Sequence, residues 1–283
     1  MKKNALIRMK EIVDFSSDTE QTIIRYILKQ PESVIESTIH SLASKTFTSP
    51  ATLLRLCRKL GFSGYKDFKL AVSYELALRK TSSEEEKKEI TQMDSLSEIV
   101  EKITYKNIIS LEHTQNLTDF ATLEKSVDLI TDCRTIVFFG MGSSFFVAKD
   151  AYLKFLRIGK PAIVNEDWHT QLLQARNMTK DDLGVIFSYS GQTVEMVECM
   201  KAMKENDSPM IAVTRYGVSP VSNLSTYNIY VAANESIFRS GAMSSRISQL
   251  NVVDILYTAY ANRTFHHSLD QLSKTHIHKP GNP

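Results

Sequence analysis

The sequence is short of the residues that mark several protein classes. Its 283 residues include only three cysteines, Cys57, Cys133 and Cys199, widely spaced and with no C-x-x-C pair. That argues against a disulfide framework or a cysteine-rich zinc site and suits a reducing compartment. No stretch approaches the roughly 18 uninterrupted apolar residues of a membrane span. The apolar pair Leu6-Ile7 is cut off at Arg8, too short for a signal-peptide core. Secretion, membrane insertion and membrane partners are therefore disfavoured, and the cytoplasm is the expected location. Internal repeats are absent. So is the G-x-G-x-x-G dinucleotide fingerprint: Gly140-Met-Gly142 is followed by Phe145 where a third glycine is needed, which disfavours a nucleotide cofactor. The P-loop lysine pattern is missing too. No cofactor and no metal are expected.

What remains is globular in character, with 42% hydrophobic and 23% charged residues. The length suits two domains. The net charge of +2 conceals an asymmetry. Residues 1–80 carry 14 Lys and Arg against 8 Asp and Glu, and the remainder carries 20 against 24. A basic first segment on a mildly acidic body suggests that the two parts meet different partners.

Residues 1–80 read as helices. Ser17-Asp18-x-Glu20 is a capping signal before Ile23, Ile24, Ile27 and Leu28 at helical spacing. Residues 81–117 read as a polar spacer, Thr81–Glu89, and a connecting helix carrying Leu96, Ile99, Val100, Ile103 and Ile108, a face expected to pack on the second domain or a partner subunit. From residue 118 to 263 short β-branched and aromatic runs alternate with helical segments, which implies a doubly wound parallel sheet with helices on both faces, an α/β domain behind an all-α one. Residues 264–283 read as a loosely ordered polar tail.

Leu42 to Gly61 has the form of a helix-turn-helix: a short helix, a tight turn, then Ser49 as N-cap and Pro50 at the first position of a second helix. Leu53, Leu56, Cys57 and Leu60 gather on one face; Ala51, Arg55 and Arg58 lie opposite, flanked by Thr52 and Lys59. Small residues at a helix start allow close approach to base edges, and arginine offers a planar fork for guanine or phosphate. Ser49, Ala51, Thr52, Arg55, Arg58 and Lys59 are thus candidate contacts to double-stranded DNA, with Lys66, and Lys69 beyond it, against the backbone.

Two serine-rich turns carry the chemistry of the second domain: Gly140-Met-Gly-Ser-Ser144 after its first strand and Ser188-Tyr-Ser-Gly-Gln-Thr193 after its third. Each leads into a helix, whose N-terminus offers free N–H groups and a favourable dipole to an anion. With hydroxyl donors added, the combination suits a phosphate monoester. His169, in Glu166-Asp167-Trp168-His169, could reach sugar hydroxyls. His266, His267, His276 and His278 lack a carboxylate or cysteine framework and fit a frayed end better than a metal site. Met196, Met200 and Met203 fit core packing.

Together these residues resemble the RpiR/MurR family of bacterial transcriptional regulators, which join a helix-turn-helix to a sugar isomerase (SIS) domain that binds a phosphosugar effector. The resemblance rests on Ser49–Lys69, on F-G-M-G-S-S and S-Y-S-G-Q-T, on Asp167-x-His169, and on Ser244–Tyr257. It implies a phosphosugar-responsive DNA-binding regulator with no catalytic residues, working as a homodimer or homotetramer on a two-fold operator. Ser144, Ser188, Ser190 and Thr193 would contact the effector phosphate and adjoining oxygens, with Ser143 in second rank. Pro50 and Leu56 depart from the family's usual acidic or polar residue and Phe, which bears on base preference. Two alternatives stay open. One is a phosphosugar isomerase or lyase using Glu166, Glu195 or Glu235; the other is an interaction module whose basic segment meets acidic partners.

Overall fold

The structure, a computed structural model, describes residues 4–79, 90–233 and 242–277. The spacer Thr81–Glu89, Glu235, His278 and the last residues of the chain lie outside this set. Two compact units emerge, Met1–Tyr105 and Lys106–Pro283.

The described part of the first unit is helical: α1 (Ala5–Ile12), α2 (Asp18–Lys29), α3 (Glu32–Glu36), α4 (Ile39–Lys45), α5 (Pro50–Lys59) and α6 (Tyr65–Arg79). Side-chain caps fix the starts. Ser17 and Glu20 form a full capping box on α2, Thr38 caps α4, and Ser49 caps α5. Each cap satisfies an N–H that the helix cannot. Ile23, Ile24 and Ile27 of α2 share the core with Leu42, Leu53, Leu56, Phe68 and Val72. Buried Glu75 accepts the Leu6 N–H through both oxygens, at 3.1 and 3.2 Å, and so caps α1 from across the unit.

α7 (Leu96–Leu117) crosses the division between the units. The second unit continues with α8 (Phe120–Asp132), β1 (Thr135–Gly140), α9 (Ser143–Arg157), β2 (Ala162–Val164), α10 (Trp168–Asn177), β3 (Asp182–Phe187), α11 (Val194–Glu205), β4 (Met210–Arg215), α12 (Pro220–Leu224), β5 (Tyr227–Val231), α13 (Ser244–Arg263) and α14 (Phe265–Lys274). The five strands are parallel in the order β2-β1-β3-β4-β5. Alternate strand residues feed two cores. Ile136, Phe138, Val185 and Phe187 pack with α8, α9 and α13. Val137, Phe139, Ile186 and Ala212 pack with α10, α11 and α12, where Met196, Met200 and Met203 are fully buried. The doubly wound reading is thereby met. Arg134 and Asp182, 2.9 Å apart, tie the entrances of β1 and β3.

Within this chain the apolar face of α7 is left largely uncovered, and the expectation of a loosely ordered tail is corrected. On α7 the apolar positions Leu96, Val100 and Ile108 are exposed, and the buried positions are Lys106, Ser110, Thr114 and Leu117. The Thr114 hydroxyl accepts the Ala232 N–H at 3.0 Å just past β5, which places a polar side chain on the buried face. The tail after Arg263 is helical to Lys274. Ser268 of α14 is buried and Leu272 packs on the main core, while His266 and His267 face outward. No described helix is long and apolar enough to cross a membrane.

Candidate functional site

The strand order reverses direction between β1 and β3, where ligands bind in open α/β sheets. Both serine-rich turns sit there. Gly140 at the tip of β1 is in register with Phe187 at the tip of β3, so the turns leave neighbouring strands at the same end. A Cβ on Gly140 would lie 2.7 Å from the carbonyl oxygen of Ser144; only glycine lets α9 start so close to the strand. Gly191 holds φ of +66°, and a Cβ there would strike the Ser219 hydroxyl at 2.2 Å.

Hydrogen bonds from outside the turns brace both. Buried Gln171 of α10 clamps Gly140, accepting its N–H at 3.2 Å and donating to its carbonyl at 3.0 Å. The Ser144 hydroxyl donates to Gln249 Oε1 at 3.2 Å. In the second turn Ser188 is buried, and its hydroxyl lies 3.2 Å from that of Thr193. Ser190 Oγ accepts the Gln192 N–H. Arg215, at the end of β4, donates through Nε to the Ser190 carbonyl and through its N–H to that of Tyr189.

α9 and α11, which follow these turns, have no side-chain cap; α10 and α12 are capped by Asp167 and Ser219. With no side chain on them the starts of α9 and α11 suit an external anion, while the Ser144, Phe145 and Met196 N–H groups already reach the Met141, Gly142 and Thr193 carbonyls. Ser143, Ser144, Ser190 and Thr193 are half-buried around them. His169 is exposed in the first turn of α10, and its N–H is bound to Asp167 Oδ1 at 2.8 Å. The Thr170 hydroxyl and the N–H groups of His169 and Thr170 hold the Asp167 carboxyl below its ordinary range. The Asp167-x-His169 segment is thus first of all a helix cap, and no hydrogen bond joins His169 to either turn.

In the helical unit Arg55 and Arg58 are exposed on α5, with no ion-pair partner among the described residues, and Lys66 is exposed on α6. Ala51 is exposed beside them. The Ser49 and Thr52 hydroxyls are 2.9 Å apart within the cap. Lys59 departs from the set: its ammonium is paired with Glu20 at 2.7 Å. Burial disfavours the Glu20 charge, but the bonds from Lys59 and Ser17 outweigh it and leave its carboxyl below the ordinary value. Lys69 is likewise engaged, donating to the Ser37 carbonyl. Burial pushes the thiols of Cys57 and Cys199 up to about 12, so neither is a nucleophile near neutrality.

Two stretches match known families: residues 3–79 the helix-turn-helix domain of the rpiR family, and residues 129–259 the SIS domain. The chain is 33% identical over 272 residues to an uncharacterized HTH-type transcriptional regulator, TTE0211, of Caldanaerobacter subterraneus, covering 96% of this chain and 95% of that one. It is 31% identical over 260 residues to the HTH-type transcriptional regulator HexR of Escherichia coli, covering 92% and 89%. The chain belongs to the RpiR family of transcriptional regulators. Among solved structures, Vibrio vulnificus NanR complexed with ManNAc-6P aligns at a TM-score of 0.60 and 29% identity, covering 96% of each chain.

Three residues of this RpiR-family regulator that border the turns escaped the motif reading: Gln171, Arg215 and Gln249. Gln249 is 1% exposed, and its Nε2 has no hydrogen-bond partner among the described residues. The first two carry no local signal, being distant in sequence from the turns they brace. Gln249 stands in the quoted Ser244–Tyr257 segment, where an amide amid apolar helical positions was the available cue.

Proposed function

We propose that this regulator binds a phosphosugar between the turns 140–144 and 188–193, does not turn it over, and changes its affinity for duplex DNA on doing so. One observation carries the reading. Two hydroxyl-rich turns meet at the reversal point of a parallel sheet, each opening a helix with no side chain on its first N–H groups. Ser144, Ser188, Ser190 and Thr193 take the phosphate, with Ser143 behind them and His169 toward the sugar hydroxyls. Gln249 offers its unpartnered amide to an acceptor oxygen. The ManNAc-6P bound by NanR makes phosphorylated amino sugars the first class to test.

Ser49, Ala51, Thr52, Arg55 and Arg58 face the DNA, with Lys66 against the phosphates. A homodimer acting in the cytoplasm would place half-sites about one helical turn apart, or a multiple of it. The effector shifts DNA affinity only as far as it binds the two states unequally; a tenfold change needs about 1.4 kcal/mol. The experiment is a duplex-binding titration with hexosamine, hexose and pentose phosphates, run beside a turnover assay. A several-fold shift in DNA affinity, abolished by Ser188→Ala and without product formation, supports the reading. Indifference to every compound refutes the switch, and steady turnover refutes the non-enzymatic reading.

A further inference from the structure

Four helices close on one hydrogen-bonding pattern, in which a residue of positive φ follows the cap. In α5 the Gly61 N–H reaches the Arg58 carbonyl and the Phe62 N–H reaches Cys57, both at 2.9 Å, with Gly61 at φ +82°. In α9 the residue is Gly159 at +72°, and in α11 it is Asp207 at +54°. In α4 the Phe47 N–H reaches the Ser44 carbonyl at 3.2 Å and the Thr48 N–H reaches Ala43 at 2.9 Å, with Phe47 at +53°.

Glycine suits this position, and Asp or Asn tolerates it. A bulky side chain there is a real outlier. Among the described residues nothing rewards the exception, since the ring is 95% exposed. Yet the turn is firmly held. The Thr46 hydroxyl donates to the Leu42 carbonyl at 2.9 Å and lies 2.9 Å from the Thr48 hydroxyl. A rigid turn thus presents an aromatic ring outward, two residues before the Ser49 cap of α5. Strain kept without internal compensation points to an external contact.

We propose that Phe47 touches operator DNA and reads a thymine methyl group at the edge of the major groove. This rests on the DNA-binding reading above. The N-terminal end of a recognition helix is the part that meets base edges. A phenyl ring has no donor or acceptor with which to read a base, and the phosphates are served by the exposed cations. The apolar group that the major groove offers is the thymine methyl.

The test uses the full chain and Phe47→Gly. Duplexes are first selected from a randomised pool by the wild-type protein. Each thymine of the selected site is then replaced by deoxyuridine, which removes only the methyl. At one position the replacement should weaken wild-type binding about fourfold, the worth of one buried methyl group, and leave Phe47→Gly unaffected. Glycine fits the turn, so the variant should unfold at the same temperature as wild type or higher. Equal binding of the selected duplex by both proteins, or equal sensitivity to every uridine, overturns the proposal alone. Failure of the wild-type protein to select any sequence overturns it together with the DNA reading.

Discussion

Replacing Gln249 by methionine separates the amide's structural value from its value to a ligand. Among the described residues the side chain makes one hydrogen bond, from Ser144, and leaves Nε2 buried and unpartnered. The bond contributes about 1 kcal/mol, and the unsatisfied donor costs about 1–3 kcal/mol. Methionine has similar length and no polar atoms. Gln249→Met should therefore leave the ligand-free protein within about 1 kcal/mol of wild type, or raise its stability by up to about 2 kcal/mol. Effector binding should move the other way. Losing a neutral hydrogen bond of about 1–1.5 kcal/mol weakens affinity roughly five- to tenfold. At 100 times the wild-type Kd, bound ligand stabilises the wild type by about 2.7 kcal/mol. A tenfold weaker variant gains only about 1.4 kcal/mol under the same conditions. Thermal unfolding with and without phosphosugar reads both quantities. If Gln249→Met costs more than about 2 kcal/mol while the ligand-induced shift stays at its wild-type size, the amide is structural and the assignment is wrong.

On the DNA side, Arg55→Ala and Arg58→Ala should each weaken operator binding by about 1–3 kcal/mol while changing affinity for random duplex less. Lys66→Ala should weaken both about equally and lower the salt slope by about one. Because Lys59 is held by Glu20, Lys59→Ala should leave the salt slope of DNA binding unchanged; a slope lowered like that of Lys66→Ala would show that the ion pair opens on DNA. Burial works against the charge of Asp182, but bonds from Arg134 and Thr179 outweigh it, so its folded pKa lies below the unfolded value. The stability it contributes is full above about pH 4 and is lost as pH falls through the folded pKa. Asp182→Asn should therefore be the less stable protein at pH 7, with the gap to wild type closing in acid; a gap independent of pH in denaturant titrations would refute this.

Much of the fold was written in local signals. Ser17 with Glu20, Ser49 with Pro50, and the β-branched and aromatic runs each fix an element through contacts only a few residues long, and the caps and the alternation of strand and helix stand as the sequence has them. α14 escaped because its signal is sparse. Its ten residues hold three large apolar side chains, and of these Phe265 and Leu269 remain exposed. Its position is settled by remote partners, Leu272 on the main core and the Thr275 hydroxyl on the Arg157 carbonyl. On α7 the apolar spacing is genuine, yet within this chain the buried side includes Thr114, whose hydroxyl accepts a backbone N–H 118 residues away.

The site divides along the same line. The residues proposed to take an anion sit on the turns themselves, at strand tips and helix starts, so Ser144, Ser188, Ser190 and Thr193 are visible as a motif. The residues that make those turns rigid need not lie there. Gln171 reaches Gly140 from 31 positions away, Arg215 reaches Ser190 from 25, and Gln249 meets Ser144 from 105. Each can stand anywhere that topology brings it to the tips of β1 and β3. Phe47 shows the converse at the other end of the chain. Its turn is entirely local, so the sequence fixes the bend, yet the choice of Phe where Gly61 and Gly159 serve elsewhere is intelligible only once the backbone angle and the exposure of the ring are both known. On the proposal above, the cost of Phe47 to the fold is answered outside the molecule, by the groove that the second helix of a helix-turn-helix enters.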